Sequence, residues 1–183
     1  MSGPKEIVKP AATRRAPIIN VTKRTASAVV MRPEKPHRPT VFVDAPKIYG
    51  ADPQARIAAI RKGIPASMVS SLSAKMGMSK ESLLSSLGLS RATISRKEKD
   101  ATVLSKDESE RVLGVETLIG MAQAMVEQSG DPAGFDAARW LSGWLTKPLP
   151  ALAGATPASY MDTFEGQKLV AELLSMSQSG AYA

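Results

Sequence analysis

Apolar side chains recur at three- and four-residue intervals from residue 52 onward, which is the spacing of amphipathic helices. The pair Asp52-Pro53 predicts the start of a helix, because Asp caps helices and Pro suits the first turn. Gly63 predicts the end of that helix. A second helix is predicted from Pro65 to Gly77, with its apolar positions at Met68, Val69, Leu72 and Met76.

Two short helices with a glycine between them follow. Ser79 is the predicted N-cap of the first, Ser90 is that of the second, and Gly88 lies between the two. A helix-turn-helix needs glycine where the backbone turns left-handed and apolar residues where its helices pack. Residues 80–97 therefore predict a helix-turn-helix, with its packing residues at Leu83, Leu84, Leu87, Leu89 and Ile94.

The longest predicted helix begins at a capping box, in which Ser105 is followed three residues later by Glu108. This helix extends to about Gln128, and its apolar face is Val112, Val115, Ile119, Ala122 and Val126. Since no strand pattern occurs after residue 50, the predicted fold class is all-α.

The remaining elements are also helical. A helix containing Trp140 and Trp144 ends before Pro148, and we expect these tryptophans, four residues apart on one face, to pack in the core rather than form an interface. A short helical turn starts at Thr156-Pro157. Asp162 or Thr163 caps the last helix, whose apolar positions are Phe164, Leu169, Val170, Leu173 and Leu174.

Residues 1–50 differ in composition from the rest of the chain. They contain 7 of the 13 prolines, and 10 Lys and Arg against 3 Asp and Glu, so they carry the whole net charge of +7. Many prolines with few apolar residues predict a disordered leader. Its basic charge suits a polyanion such as DNA or merely keeps the chain in solution, and the sequence favours neither.

Polar and basic residues cover the outward side of the second helix of the motif. Arg pairs with guanine in the major groove, Ser, Thr and Lys reach phosphates, and a helix N-terminus attracts anions. The candidate DNA-binding residues are Ser90, Arg91, Thr93, Ser95, Arg96, Lys97 and Lys99. The alternative is an ordinary solvated basic face, as in a scaffold that binds only protein. A salt titration separates the two, since each phosphate contact adds about 0.9 to the slope of log affinity against log salt.

The residue inventory excludes several kinds of chemistry. The chain has no Cys and a single His, His37, so thiolate sites and histidine-based triads are excluded. Acidic residues occur singly, and residues 152–156 have too few glycines for a phosphate-binding loop. We therefore expect no catalytic residues, no metal and no cofactor, and a protein that is not an enzyme. No stretch approaches the roughly 20 apolar residues of a membrane helix, which fits a cytoplasmic protein with no membrane partner.

Further motifs flank the helix-turn-helix. The segment from Leu104-Ser105 to Arg111 comes directly after it, and a Trp140-Leu141 helix precedes Ala151-Leu152-Ala153-Gly154 and Thr156-Pro157. The segment DTFEGQKLVAELL then leads to the ending GAYA. Over about residues 55–183 this combination resembles the Xre/ParS/MbcA-type antitoxins of RES–Xre toxin–antitoxin pairs. Similar proteins typically have two glycines where this chain has Ala153-Gly154.

The resemblance implies a division of labour along the chain. The leader, residues 1–50, lies outside the resemblance. Residues 51–104 are implied to be a helix-turn-helix region that binds operator DNA and represses its own operon, and residues 105–183 a C-terminal helical region for dimerisation and toxin binding. The implied partner is a cognate RES-domain toxin that consumes NAD⁺, whose active-site entrance the C-terminal region covers. A homodimer and a larger toxin–antitoxin complex are also implied.

The last helix suits recognition of the toxin as an apolar helix face in a groove. The candidate toxin-binding residues are Phe164, Leu173, Leu174, Met176, Tyr182 and Ala183. For Leu169 and Val170, in the middle of the helix, we expect core packing instead. The alternative to an antitoxin is a plain transcription or partition factor, which has the helix-turn-helix but no toxin partner.

Overall fold

The computed structural model describes Gly3, Gly50 and residues 52–178. Contacts divide the chain into two units, Met1–Arg38 and Pro39–Ala183. Gly3 is the only described residue of the first unit, so the expected disordered leader lies outside the described residues, as do His37, Tyr182 and Ala183. All helices below belong to the second unit.

The described part of the second unit is helical, as the periodicity predicts. Its helices are α1 (Pro53–Lys62), α2 (Met68–Met76), α3 (Lys80–Ser86), α4 (Arg91–Lys99), α5 (Lys106–Ser129), α6 (Ala137–Leu145) and α7 (Phe164–Gln178). Two 3₁₀ turns, Pro150–Leu152 and Pro157–Tyr160, connect α6 to α7. None of the helices described is long and apolar enough to cross a bilayer.

The predicted serine N-caps are confirmed, whereas Asp52, which precedes α1, makes no side-chain capping hydrogen bond. Ser79 Oγ accepts a hydrogen bond from the Ser82 backbone N–H at 3.1 Å, and Ser90 Oγ accepts one from Thr93 at 3.4 Å. Ser105 and Glu108 form the full capping box at the start of α5. For the last helix, the cap is the second of the two candidates, because Thr163 Oγ1 accepts from the Gly166 N–H at 3.0 Å. Each cap satisfies a backbone donor that the helix itself leaves unpaired.

One predicted boundary moves for a tertiary reason. Pro65 does not begin α2 but forms an isolated antiparallel bridge with Val103, and the Leu104 N–H donates to the Ile64 carbonyl at 2.8 Å. The turn before α7 places Ala153, at which the resemblance leads us to expect glycine, at φ +51°. This left-handed conformation is unfavourable for a residue with a Cβ.

Helix α5 is the centre of the core, because α1, α6 and α7 all pack against it. Four of its five predicted apolar positions are buried, and Val126 is half-buried. One continuous cluster of buried side chains runs from Ile64 in the helix-turn-helix region to Leu174 in α7. The expected regions before and after residue 104 therefore share a core.

Candidate functional site

The helix-turn-helix consists of α3, a turn at residues 87–90 and α4. Gly88 occupies the left-handed region at φ +60°, and the Leu89 N–H donates to the Leu84 carbonyl at 2.9 Å, which closes α3. Ile94 is fully buried and anchors α4 to the core. The opposite side of α4 is consequently held toward solvent in a fixed orientation.

Five of the seven candidate DNA-binding residues are exposed on this surface, namely Ser90, Arg91, Ser95, Arg96 and Lys99, and Thr93 is half-buried. The expectation that Lys97 faces outward is wrong. Its ammonium group pairs with the Glu108 carboxylate of α5, and its side chain is 22% exposed. Lys97 thus ties α4 to α5 rather than facing a groove.

Charge on the α4 surface is partly neutralised. The Arg91 guanidinium lies 3.1 Å from a carboxylate oxygen of Glu81 on α3. In the part of the chain that the structure describes, Arg96 and Lys99 have no acidic partner. These two side chains are therefore the cations of α4 that are available to phosphates or bases without breaking an ion pair.

Glu108 combines a capping role with an ionic one. Burial raises the pKa of its carboxyl group, but hydrogen bonds from Lys97 and from the Ser105 backbone outweigh that effect. The net pKa lies below the ordinary value of 4.5, so the carboxylate is charged at neutral pH. It fixes the C-terminal half of α4 and the start of α5 together.

Arg111 attaches the turn of the helix-turn-helix to α5. Its Nη1 donates to the carbonyl oxygens of Leu87 at 3.1 Å and Gly88 at 3.2 Å. Sequence reasoning placed Arg111 in a motif after the second helix but gave it no role. The only signal was that motif, since the contact joins residues 23 and 24 positions apart.

The candidate toxin-binding residues of α7 divide between surface and core. Phe164 is 61% exposed and Met176 is exposed, as expected of contact residues. Leu173 and Leu174 are buried, so they are not surface contacts as expected; they lie on the face of α7 that packs on α5, beside the buried Val170. Leu169, expected in the core, is instead partly exposed.

Gln167 fixes α7 to α5 through its side-chain amide. Its Nε2 donates to the carbonyl oxygens of Arg111 at 3.1 Å and Met161 at 2.9 Å. A Cβ placed on Gly114 would lie 1.8 Å from Gln167 Oε1, so only glycine fits beside this amide. Gln167 thus joins the last helix to the same segment of α5 that holds the turn.

Phe135, just before α6, and Trp140 and Trp144 of α6 form a row of aromatic rings, which we call the aromatic ladder. The tryptophan rings stack at a centroid distance of 6.3 Å with 12° between their planes, and Phe135 tilts against Trp140 at 6.0 Å. Trp144 is half-buried, as a core residue would be, but Trp140 is 42% exposed, so the expectation of core packing is wrong for Trp140. The face of α6 toward the core is already filled by Ala137, Ala138, Leu141 and Leu145.

Among the described residues, no group of three or more potential ligand side chains is placed to hold a metal ion. Exposed features of the described residues include the α4 surface, the apolar residues of α7 and the aromatic ladder.

Comparison with known proteins finds two family models that match separate parts of the chain. Residues 55–115 match the model of the antitoxin Xre-like helix-turn-helix domain, and residues 122–180 match that of the antitoxin Xre/MbcA/ParS C-terminal toxin-binding domain. The chain is 43% identical over 136 residues to a Prs ADP-ribosylating antitoxin of Sphingobium sp. (strain YBL2), an alignment that covers 74% of this chain and 86% of the relative. The first match ends and the second begins within α5, the helix against which both regions pack.

Proposed function

The chain belongs to the Xre/MbcA/ParS antitoxin family, with a helix-turn-helix domain and a C-terminal toxin-binding domain, and from this premise we propose its toxin and its mode of action. We propose that it binds a RES-domain toxin that consumes NAD⁺ and covers the entrance to the toxin's active site. The observation that carries this proposal is the match to the toxin-binding domain over residues 122–180, together with exposed apolar side chains in that region. The antitoxin acts by binding and not by catalysis.

The contacts proposed on α7 are Phe164 and Met176, with Tyr182 and Ala183 following in sequence. Exposed apolar side chains gain the most from burial in a partner's groove, about 25 cal/mol per Å² removed from water. Leu173 and Leu174 do not touch the toxin in this proposal but hold α7 in position, because they are buried where α7 packs on α5.

Growth and NAD⁺ measurements test the toxin assignment. The reading frame adjacent to this chain's gene is expressed alone and together with the chain, and viability and cellular NAD⁺ are followed. The proposal expects the neighbour alone to stop growth and deplete NAD⁺, and co-expression to restore both. A neighbour that is harmless, or toxic but unaffected by this chain, overturns the RES pairing.

A second candidate for the toxin's reaction is ADP-ribosyl transfer to a protein. It is favoured by the name of the Sphingobium relative, a Prs ADP-ribosylating antitoxin. Both reactions consume NAD⁺, so NAD⁺ loss does not separate them. The purified neighbour is incubated with NAD⁺ labelled in its adenosine part and with a protein extract of the host as the source of acceptor. Both reactions release nicotinamide: free labelled ADP-ribose supports hydrolysis by water, and label retained on a protein after denaturing electrophoresis supports transfer.

The helix-turn-helix is proposed to bind operator DNA upstream of the chain's own gene as a homodimer, and to repress the operon. Arg96 and Lys99 have exposed charges, and Arg91 becomes available if it leaves Glu81. Expression of a reporter fused to the upstream region is expected to be repressed by the wild-type chain and to rise when the chain carries Arg96→Gln. Light scattering after gel filtration is expected to give twice the chain mass of 19.4 kDa. Unchanged repression by Arg96→Gln contradicts the role of that side chain in DNA binding. A monomeric mass contradicts the homodimer.

A further inference from the structure

We propose that the aromatic ladder on α6 is a second docking surface for the toxin, separate from the contacts on α7. This inference rests on the proposed function, because it takes the toxin as the partner. It adds a surface that the sequence had assigned to the core.

The ladder is held as a rigid surface. Asp136 caps α6 by accepting from the Arg139 N–H at 3.0 Å, and the opposite face of the helix is buried. Trp140 stacks on Trp144 and Phe135 lies tilted against Trp140, while Phe135 and Trp144 also pack against the buried core, so each ring has neighbours that hold it in place. Rigid aromatic side chains lose little conformational entropy on binding, and for this reason they often dominate interfaces.

Solvent exposure of Trp140 is costly for a protein that acts alone. A tryptophan at 42% exposure leaves a large apolar area in water, although the neighbouring core has its own filling residues. An ion pair between Arg139 and Asp136, both well exposed, borders the ladder. An apolar centre with a polar rim is the usual anatomy of a protein–protein interface.

The location of the ladder identifies its occupant. Phe135, Trp140 and Trp144 lie within residues 122–180, the part of the chain that matches a toxin-binding domain. The match to the DNA-binding domain ends at residue 115, before the ladder begins. The surface thus belongs to the domain whose partner is the toxin, and on that ground we assign it to the toxin.

Fluorine NMR tests the proposal on the full-length chain, with no residue of the ladder substituted. The chain contains two tryptophans, both in the ladder, so full-length protein labelled with 5-fluorotryptophan gives signals from this site alone. The purified product of the adjacent reading frame is added to saturation, with binding confirmed independently by calorimetry. The proposal expects the chemical shift of the Trp140 fluorine to change on binding. It also expects the difference between its chemical shifts in H₂O and D₂O, which reports contact with solvent, to disappear. Both signals unchanged in the saturated complex overturn it.

A matched pair of substitutions gives the energetic test. Trp140→Ser is expected to raise the Kd for the purified neighbour at least about tenfold, as expected for a central aromatic residue. The control is Ile57→Ser, which removes an apolar side chain of similar exposure, 46%, outside the toxin-binding match. Trp140→Phe keeps an aromatic ring and is expected to recover most of the affinity. Equal affinities for Trp140→Ser, Ile57→Ser and wild type overturn the proposal.

The outcomes separate this inference from the proposed function. If the wild-type chain fails to bind the neighbour, the toxin assignment itself is wrong. If the wild-type chain binds and Trp140→Ser binds equally, only the ladder proposal fails. If Trp140→Ser instead converts a dimer to a monomer and leaves toxin affinity unchanged, the ladder joins two copies of the chain and the proposal is overturned.

Discussion

Gly114 and Gln167 offer a direct test of how the two matched regions are joined. Gly114 lies in the helix-turn-helix match and Gln167 in the toxin-binding match. The three atoms nearest to a Cβ at Gly114 are Oε1, Cδ and Nε2 of Gln167, at 1.8, 2.6 and 3.1 Å. Since two hydrogen bonds to buried or half-buried carbonyls hold this amide, it cannot move aside without losing them.

Gly114→Ala is therefore expected to change sign with its background. Alanine favours a helix over glycine by about 1 kcal/mol, but displacing the Gln167 amide costs its two hydrogen bonds, about 1 kcal/mol each and more where a carbonyl stays unpaired. The net loss in the wild-type chain is about 1–3 kcal/mol, a decrease in Tm of about 3–10 °C. In the Gln167→Ala background the obstructing atoms are gone, and the same substitution is expected to raise Tm by about 2–4 °C.

Thermal unfolding of the four chains of this cycle, followed by circular dichroism at 222 nm, measures the coupling. Gly143→Ala is the control, because Gly143 lies within helix α6 and a Cβ there meets nothing within 4 Å. It is expected to raise Tm slightly in both backgrounds. If Gly114→Ala also shifts Tm in the same direction in both backgrounds, the amide does not fill the space at Gly114 and the reasoning is refuted.

Three further outcomes are expected. Arg96→Gln lowers the slope of log DNA affinity against log salt by about 0.9, whereas Lys97→Gln changes it less because that ammonium group is already paired with Glu108; equal changes in anisotropy titrations contradict this distinction. The lowered pKa of Glu108 adds stability that is present above pH 4.5 and lost as pH falls through the folded pKa. Glu108→Gln is therefore expected to flatten the fall of Tm at acid pH, and curves of Tm against pH that are parallel for variant and wild type refute this. Ala153→Gly removes the Cβ that makes the left-handed backbone unfavourable and is expected to raise Tm by a few degrees; a fall in Tm contradicts this prediction.

Local chemistry determined the helices of this protein before any tertiary contact was known. The N-caps at Ser79, Ser90 and Ser105 and the turn at Gly88 act within a few residues, and all four lie where the sequence placed them. The family assignment also followed from the sequence, since its motifs are linear. The candidate DNA surface on α4 was predicted for the same reason, because the buried Ile94 fixes which side faces outward.

Contacts between distant segments decided what local spacing left open. On α7 the apolar residues cover more than one face, and only the position of α5 determines that Leu173 and Leu174 are buried while Leu169 remains partly exposed. Lys97 and Arg96 are equivalent by residue type, but Glu108 on another helix captures only Lys97. Trp140 is apolar and at helical spacing, yet it lies at the surface because smaller residues fill the space between α6 and the core. Burial of a side chain depends on which neighbouring element packs against it, and the sequence of one helix does not say which element that is.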